Sequence, residues 1–385
     1  MPTLARTIDI LDQLIAFDTT SRYSNLDIIS WIETQLEPIG AASVRIPNSS
    51  GEKSNLWVRI GPDQPGGIIL SGHTDVVPVD GQDWTTDPFQ MTRLEDQLFG
   101  RGTADMKSFI ALCLAFAPEF SKLDLRRPVH FAFSYDEEVG CQGAPDMIHE
   151  IVDRGAAPDA VWVGEPTEWQ VVSSHKGIMV TEVEVIGKEA HSSLPHLGVS
   201  AIGEAIELLS SLKAIQAGLI AAAPEDSPFD PPYPTLTIGE IAGGTATNIL
   251  ARRCAFGFDL RCPPGFEPDQ ILKPFNAAVE VMDQRIRAQF PECGVTVTRH
   301  SNVPPLAAVP DNPAERLARA LTGDNTLRAV TFATEAGQFH RAGIPAIVCG
   351  PGSIEQAHKP NEFIKVSELE KGVSIFADLI RYLND

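Results

Sequence analysis

The sequence predicts an α/β fold: a mostly parallel sheet with helices on both faces, into which a smaller α+β unit is inserted. Short runs rich in β-branched and aromatic residues alternate with helical periodicity in both end regions of the chain. Between about residues 178 and 303 the order of elements changes. The length of 385 residues suits two domains of ordinary size.

The chain opens with two predicted helices. Apolar residues recur at helical spacing from Leu4 to Ile15, and again from Ile28 to Leu36 after a Ser24-Asn25 cap. Apolar runs bounded by Gly, Pro or Asp are then expected as buried strands, with helical stretches such as 107–116 between them. These runs are Ile68–Ser71, Val129–Tyr135, Ala160–Val163 and Ala346–Cys349. Continuous apolar strands that alternate with helices indicate a sheet covered on both faces.

The middle of the chain predicts a separate unit. Its expected elements are a strand at Met179–Ile186, a helix near Val199–Leu212, strands near Leu236–Ile241 and Ala255–Arg261, a helix at Pro268–Phe290 and a strand at Val295–His300. This β-α-β-β-α-β order is the ferredoxin-like pattern. We therefore predict one domain over residues 1–177 and 304–385 and an inserted domain over 178–303, because exposed loops tolerate insertions. The first domain resumes with a helix near Ala314–Leu321.

Charge and composition exclude several classes of protein. The net charge is −21, and no basic cluster offsets it, so nucleic-acid or membrane-surface binding is not expected. The apolar stretch near 214–223 is about half of the roughly twenty residues that span a bilayer. The six cysteines lack C-x-x-C spacing, which predicts reduced and mostly buried thiols. The first nine residues are not those of a signal peptide, so we expect a cytoplasmic protein.

Residues that can bind a metal follow each predicted core strand. His73 and Asp75 follow the first strand, Glu137 and Glu138 the second, and Glu165 the third, while Asp105 stands at a probable helix start and His358 follows the last strand. Because parallel strands end at one edge of the sheet, we expect these side chains to converge. Histidines and carboxylates without cysteine favour zinc, cobalt or manganese held for hydrolysis. Two histidines and three carboxylates are enough for two ions.

Taken singly, these residues have simpler interpretations. Asp105 could cap a helix, His73 could be a hydrogen-bonded core histidine, and adjacent glutamates are usually a solvated surface. Their joint placement at strand ends favours the metal site instead. The chain has no G-x-S-x-G nucleophile, no P-loop and no G-x-G-x-x-G after a strand, so serine hydrolysis and nucleotide chemistry lack support.

Five segments resemble, in order, a known family of dizinc amidohydrolases. They are 72–78, 100–107, 136–140, 164–167 and 187–193. The family includes carboxypeptidase G, succinyl-diaminopimelate desuccinylase, aminoacylase and acetylornithine deacetylase, and segments 334–337 and 349–363 are most similar to the last of these subgroups. The resemblance implies a dizinc-aminopeptidase-like catalytic domain with an inserted dimerisation and lid domain, a homodimer, and two Zn²⁺ per subunit with Co²⁺ as a possible substitute.

The resemblance also implies an activity. It is the hydrolysis of N2-acetyl-L-ornithine to L-ornithine and acetate in arginine biosynthesis. The alternative within the family is a desuccinylase, aminoacylase or carboxypeptidase that acts on another N-acyl amino acid or peptide. An inactive relative that serves as a binding module is the alternative from another class, although no expected ligand or base is missing from the sequence.

Roles for individual residues follow from the same resemblance. The implied metal ligands are His73, Asp105, Glu138, Glu165 and His358, with Asp105 bridging two ions and His73 and Glu165 on different ions. Glu137 is the implied general base, Asp75 orients His73, and the peptide after Asp105 is expected to be cis. His191 is expected to stabilise the oxyanion from the partner subunit, while Asn248 and Arg261 bind the substrate carboxylate. We expect Glu335 to bind the ornithine ammonium, with a purely structural role as the alternative.

Overall fold

The computed structural model describes residues 3–384, and the chain divides into two compact units. The larger unit comprises the chain up to Ser174 together with Leu306–Ala329 and the residues from Thr334 onward. The smaller unit comprises His175–Pro305 and Val330–Ala333. The sequence did not predict that residues 330–333 belong to the smaller unit, because a stretch of four residues carries no pattern of its own.

The helices and strands are numbered here in chain order. The first part of the chain forms α1 (Leu4–Ile15), α2 (Leu26–Leu36), β1 (Ala42–Pro47), β2 (Ser54–Ile60), β3 (Ile68–His73), β4 (Thr92–Leu94), β5 (Gln97–Phe99), α3 (Lys107–Phe120), β6 (Val129–Ser134), α4 (Ala144–Asp153) and β7 (Ala160–Val163). The middle forms β8 (Ser174–His175), β9 (Gly177–Ile186), α5 (Ala201–Ala221), β10 (Thr235–Gly243), β11 (Arg253–Cys262), α6 (Pro268–Ile271), α7 (Lys273–Gln289) and β12 (Gly294–Val303). The last part forms α8 (Pro313–Thr322), β13 (Ala329–Val330), α9 (Ala336–Arg341), β14 (Ala346–Val348), β15 (Phe363–Lys365) and α10 (Val366–Asn384).

The larger unit is built on a six-stranded sheet in the order β1-β2-β6-β3-β7-β14. Strands β6, β3, β7 and β14 are parallel, and β2 and β1 add antiparallel strands at one edge. Every residue of β3, β6 and β7 is buried, which explains why these strands read as continuous apolar runs. The predicted α/β fold with a mostly parallel sheet and helices on both faces is confirmed. The sequence did not predict β1, whose residues are exposed or half-buried.

Helix α3 lies at the centre of the larger unit's core. Its first eleven residues are all buried, including Lys107, whose ammonium donates to the carbonyl oxygens of Leu14 and Phe17 at 3.0 and 2.8 Å. The helix ends at Phe120, four residues beyond the predicted end, because its apolar face continues into the core. Helix α2 begins after Asn25 as predicted, but the Asn25 side chain binds the backbone of Ser54 rather than capping the helix.

The smaller unit is a four-stranded antiparallel sheet in the order β10-β11-β9-β12, with a hydrophobic core shared by α5 and α7. Alternate residues of β9 and β11 are buried, as expected for a sheet packed on one face. Helix α5 extends to Ala221, nine residues beyond the predicted end. The helix expected over 268–290 is interrupted at Leu272.

Two further expectations concern cysteines and membrane segments. All six cysteines are free and buried, which confirms the prediction of reduced thiols. Between residues 3 and 384, none of the helices combines the length and apolar character needed to cross a bilayer.

Candidate metal centre

The sheet brings three of the predicted site segments to one edge. Strand β3 lies between β6 and β7 and runs parallel to both, so the residues that follow these strands converge. His73 is the last residue of β3, and Glu165 follows β7 by two residues. After β6 the chain turns through Asp136, whose φ of 56° lies in the left-handed region, and this turn presents Glu137 and Glu138.

Asp105 lies between the two histidines. Its Oδ1 is 3.0 Å from Nε2 of His73, and its Oδ2 is 3.4 Å from Nε2 of His358. The carboxylate does not cap α3, since Met106 holds the N-cap position and no side chain caps that helix. The Asp105-Met106 peptide is cis, as expected. Each oxygen of Asp105 therefore faces one imidazole, which is the arrangement required of a bridging carboxylate.

Glu165 and Glu138 are each close to a different histidine, although a ligand atom of Glu138 also lies within 4.8 Å of ligand atoms of His73 and Asp105. Oε1 of Glu165 is 3.8 Å from Nε2 of His73, and Oε2 of Glu138 is 2.9 Å from Nε2 of His358. Ligands at 2.0–2.2 Å from a tetrahedral ion lie about 3.3–3.6 Å apart, which is close to these separations. The resemblance implied that His73 and Glu165 bind different ions, whereas their separation of 3.8 Å favours a shared ion. The chain order of the ligands does not reveal this pairing.

His73 presents Nε2 to this cluster. Its Nδ1 lies 2.9 Å from the carbonyl oxygen of Asp75, which can only accept, so Nδ1 carries the proton. Burial opposes ionisation of the ring, but its carboxylate neighbours, Asp105 first among them, outweigh this and raise the pKa of His73 well above its usual range, so a second proton on Nε2 faces Oδ1 of Asp105 at 3.0 Å. Oε1 of Glu165 is buried and has no hydrogen-bond partner. Because the buried carboxylates of this cluster outnumber its two imidazoles, a bound cation would be stabilised there, and this donor set of nitrogen and oxygen fits zinc or cobalt.

The charges of the cluster support the same conclusion. Burial raises the pKa of Glu137 to about 8 and that of Glu138 to about 7, and it raises the pKa of Glu165 well above its usual range. Hydrogen bonds to Asp105 and Glu138 raise the pKa of His358 to about 10. Burial also opposes ionisation of Asp105, but its two histidine partners outweigh this and lower its pKa. Bound divalent cations would stabilise the ionised carboxylates.

Asp75 acts on two elements of the site. Its carbonyl oxygen orients His73, whereas its carboxylate is 3.6 Å from Nδ1, too far for a hydrogen bond. The carboxylate instead accepts from the backbone N–H groups of Glu137 and Glu138 at 3.1 and 3.2 Å and from Oγ of Ser21 at 2.7 Å. It thereby fixes the turn that presents both glutamates. Sequence reasoning missed this contact, because no local pattern links Asp75 to a turn sixty residues later.

Glu137 and Glu335 also lie beside the cluster. Glu137 is half-buried, and Sγ of Cys141 donates to its Oε1 at 3.2 Å. Glu335 is buried at the N-cap of α9 and accepts hydrogen bonds from Ser134 and, at 3.3 Å, from Ser71. Burial raises the pKa of Glu335 to about 7. Both of its oxygens thus have hydrogen-bond partners within the larger unit, and this environment is compatible with either of the two roles expected for Glu335.

The other three predicted site residues belong to the smaller unit. His191 is exposed, and its Nδ1 lies 2.7 Å from Oγ of Ser193. The backbone N–H of Ser192, which follows His191, donates to the carbonyl oxygen of Asn248 at 2.9 Å. Nε of Arg261 is 3.1 Å from Oδ1 of Asp259, with which it forms an ion pair. Arg261 lies eight residues beyond the start of β11, roughly 27 Å at 3.4 Å per residue. Within this unit His191 and Asn248 are therefore neighbours, and Arg261 is remote from both.

Comparisons with known proteins agree with this fold and identify the family. Residues 69–382 match the model of peptidase family M20/M25/M40. The chain is 33% identical to acetylornithine deacetylase of Photorhabdus laumondii over 97% of its own length and 96% of that protein. It is 32% identical to acetylornithine deacetylase of Proteus mirabilis over 98% and 95% of the two chains.

Solved structures show the same fold at low sequence identity. An M20 family metallo-carboxypeptidase from Sulfolobus solfataricus is 18% identical with a TM-score of 0.76, and 98% of this chain and 99% of that one are covered. A tripeptidase from Staphylococcus aureus is 20% identical with a TM-score of 0.73, and 100% and 99% are covered. This chain belongs to peptidase family M20/M25/M40 and is a metallohydrolase of that family.

Proposed function

We propose that this protein removes the acetyl group from N2-acetyl-L-ornithine to give L-ornithine and acetate. The observation that carries the proposal is the bridging position of Asp105 between two histidines, with Glu137 beside them, in a chain about a third identical over nearly its full length to proteins named acetylornithine deacetylase. We further propose a cytoplasmic role in arginine biosynthesis, as the resemblance of the sequence implies. The alternative is a related desuccinylase, aminoacylase or carboxypeptidase with the same chemistry and a different substrate pocket.

Five residues would hold two zinc ions, for which cobalt could substitute. His73, Glu165 and Oδ1 of Asp105 would form one set of ligands, and His358, Glu138 and Oδ2 of Asp105 the other. Ions bound there would lower the pKa of a water molecule towards 7 and polarise the amide carbonyl. The protein's own contribution is to hold the ligands in place and to move the protons.

Glu137 would move the proton. Its carboxylate takes a proton from the attacking water and later gives it to the leaving nitrogen of ornithine. Burial favours the protonated form of Glu137, so the carboxyl can retain the proton between these two steps. The hydrogen bonds from the Glu137 and Glu138 amides to Asp75 keep both side chains on their turn.

Substrate binding would require a second copy of the chain. His191 would donate to the developing oxyanion, and Asn248 and Arg261 would bind the substrate carboxylate. Because Asn248 precedes β11 and Arg261 is near its far end, one small carboxylate cannot contact both within a single chain. Their joint role therefore supports a homodimer in which each site takes residues from two subunits. Glu335 would contribute negative charge for the side-chain ammonium.

The test is release of ornithine from N2-acetylornithine by the zinc- or cobalt-loaded protein. N-succinyl-diaminopimelate and N-acetylmethionine are assayed in parallel, and a chelator-treated sample is the control. We expect chelator-sensitive turnover that is fastest on acetylornithine. Faster turnover of another substrate would keep the metal chemistry and reject the substrate, and no turnover on any of them would support the binding-module alternative.

A further inference from the structure

A buried glutamate outside the ligand set holds the loop that carries Asp105. The side chain of Glu362 is 1% exposed. Its Oε1 accepts from the backbone N–H groups of Ala104 and Asp105 at 2.7 and 3.0 Å. Its Oε2 accepts from the N–H of Gly102 at 3.0 Å and from Nη1 of Arg101 at 2.7 Å. One carboxylate thus fixes three backbone amides of the loop, including that of Asp105 itself.

Arg101 extends this contact towards the second histidine. Its guanidinium is buried, lies over the ring of Trp84 with 5.1 Å between Cζ and the ring centroid, and donates from Nη2 to Oε1 of Gln82 at 2.6 Å. Nε2 of Gln82 in turn donates to the carbonyl oxygen of His358 at 3.0 Å. The series of contacts from Glu362 through Arg101 and Gln82 therefore joins the backbone of Asp105 to that of His358.

His358 needs such support. Its φ of 63° lies in the left-handed region, which residues other than glycine rarely adopt. Asn361, three residues later, also has a positive φ of 58°. A conformation of this kind persists only when neighbouring groups fix it, and the hydrogen bond from Gln82 to the His358 carbonyl is one such constraint.

We propose that Glu362 is a positioning residue that holds Asp105, and through Arg101 and Gln82 also His358, in the geometry that receives the metal ions. The proposal rests on the metal centre of the proposed function and adds a residue that touches neither ion nor substrate. A carboxylate is required, because a glutamine at 362 offers only one acceptor oxygen. The NH₂ group of the glutamine would face the N–H donors that now bind the second carboxylate oxygen of Glu362. The buried Arg101 would also lose its counter-ion.

The test compares two isosteric variants. Glu362→Gln removes the proposed support. Asp324→Asn is the matched control, since Asp324 also accepts from two backbone N–H groups, those of Val171 and Thr326, and from Arg328, but has no contact with the ligand cluster. Zinc affinity of the chelator-treated proteins is measured by competition with a chromogenic chelator, and the visible absorption of bound cobalt reports ligand geometry. Urea unfolding of the metal-free proteins measures stability separately.

We expect Glu362→Gln to weaken zinc binding by about 10–100-fold and to alter the cobalt spectrum, as is typical when a residue that supports metal ligands is lost. Asp324→Asn should lower stability while zinc affinity and the cobalt spectrum stay as in the wild type. Wild-type affinity in Glu362→Gln would overturn the proposal. Equal losses of affinity in both variants would also overturn it, because the effect would then be general destabilisation.

A second variant covers the case in which Glu362→Gln does not fold. Gln82→Met keeps the length of a half-buried side chain and removes its hydrogen bonds to Arg101, Trp84 and His358. We expect about a tenfold loss of affinity for one of the two zinc ions, and unchanged affinity for both would refute the link to His358.

A wild type that binds two ions but releases no ornithine would reject only the proposed substrate. A wild type that binds no ion would reject the metal centre and the positioning role together.

Discussion

Replacement of His130 should remove part of the protein's sensitivity to acid. His130 lies near the start of β6, the strand that leads to the turn with Glu137 and Glu138, and it is buried. Nε1 of Trp57 donates to its Nδ1 at 3.2 Å, and the two rings are stacked with centroids 5.7 Å apart. Because Nδ1 accepts this hydrogen bond, the ring is neutral. Protonation of Nδ1 would place its N–H against the N–H of Trp57, and the hydrogen bond would be lost. Burial lowers the pKa of His130 from 6.5 to about 4.

The size of the effect follows from the two pKa values. The folded-state pKa is depressed, so the unfolded chain takes up a proton below pH 6.5, whereas the folded chain does so only near pH 4. The stability contribution is therefore fully present above pH 6.5 and is lost as the pH falls from 6.5 to 4. The whole difference of 2.5 pKa units corresponds to about 3 kcal/mol at 1.36 kcal/mol per unit. Of this, about 2 kcal/mol is lost between pH 7.5 and pH 5.

Urea unfolding at pH 7.5 and pH 5, with a chelator present to exclude metal effects, measures this contribution. The decrease in unfolding free energy between the two pH values should be about 2 kcal/mol smaller in His130→Gln than in the wild type. His149→Gln is the control, because that side chain is 77% exposed on α4, its ion pair with Asp153 is screened by solvent, and its loss should change the pH dependence far less than the loss of His130. The same decrease in His130→Gln as in the wild type would refute the argument.

Further predictions concern the site. Glu137→Gln should lower turnover of acetylornithine by about 10²–10⁴-fold with zinc content unchanged, and substantial residual activity would contradict its role as the base. Glu335→Gln should raise KM for acetylornithine far more than for acetylmethionine, and equal effects would leave it a structural role. A Cβ at Gly164 would lie 1.9 Å from Cγ of Phe109, so Gly164→Ala should destabilise the protein by about 1–3 kcal/mol in urea and weaken zinc binding through Glu165. Gly218→Ala, with nothing within 4 Å, should not destabilise it.

The amino-acid sequence by itself determined the main elements of the fold. Strand β7 has the predicted bounds, and β3, β6 and β14 differ from theirs by one or two residues. These strands are buried on both faces, so each is a continuous apolar run that can be recognised from its own residues. The convergence of His73, Glu165 and the Glu137-Glu138 turn could also be predicted, because parallel strands end at the same edge of a sheet.

Only the tertiary structure decided which side chains meet. Three contacts join residues that are 62 to 260 positions apart in the chain. They are the contact of Glu165 with His73, the hydrogen bonds of Asp75 to the Glu137-Glu138 turn, and the hydrogen bonds of Glu362 to the Asp105 loop. Even the contact nearest in sequence, between His73 and Asp75, depends on a backbone carbonyl, which every residue has. Local periodicity therefore fixes the helices and strands, whereas the geometry of the metal centre depends on long-range packing and hydrogen bonds that leave no repeating pattern in the sequence.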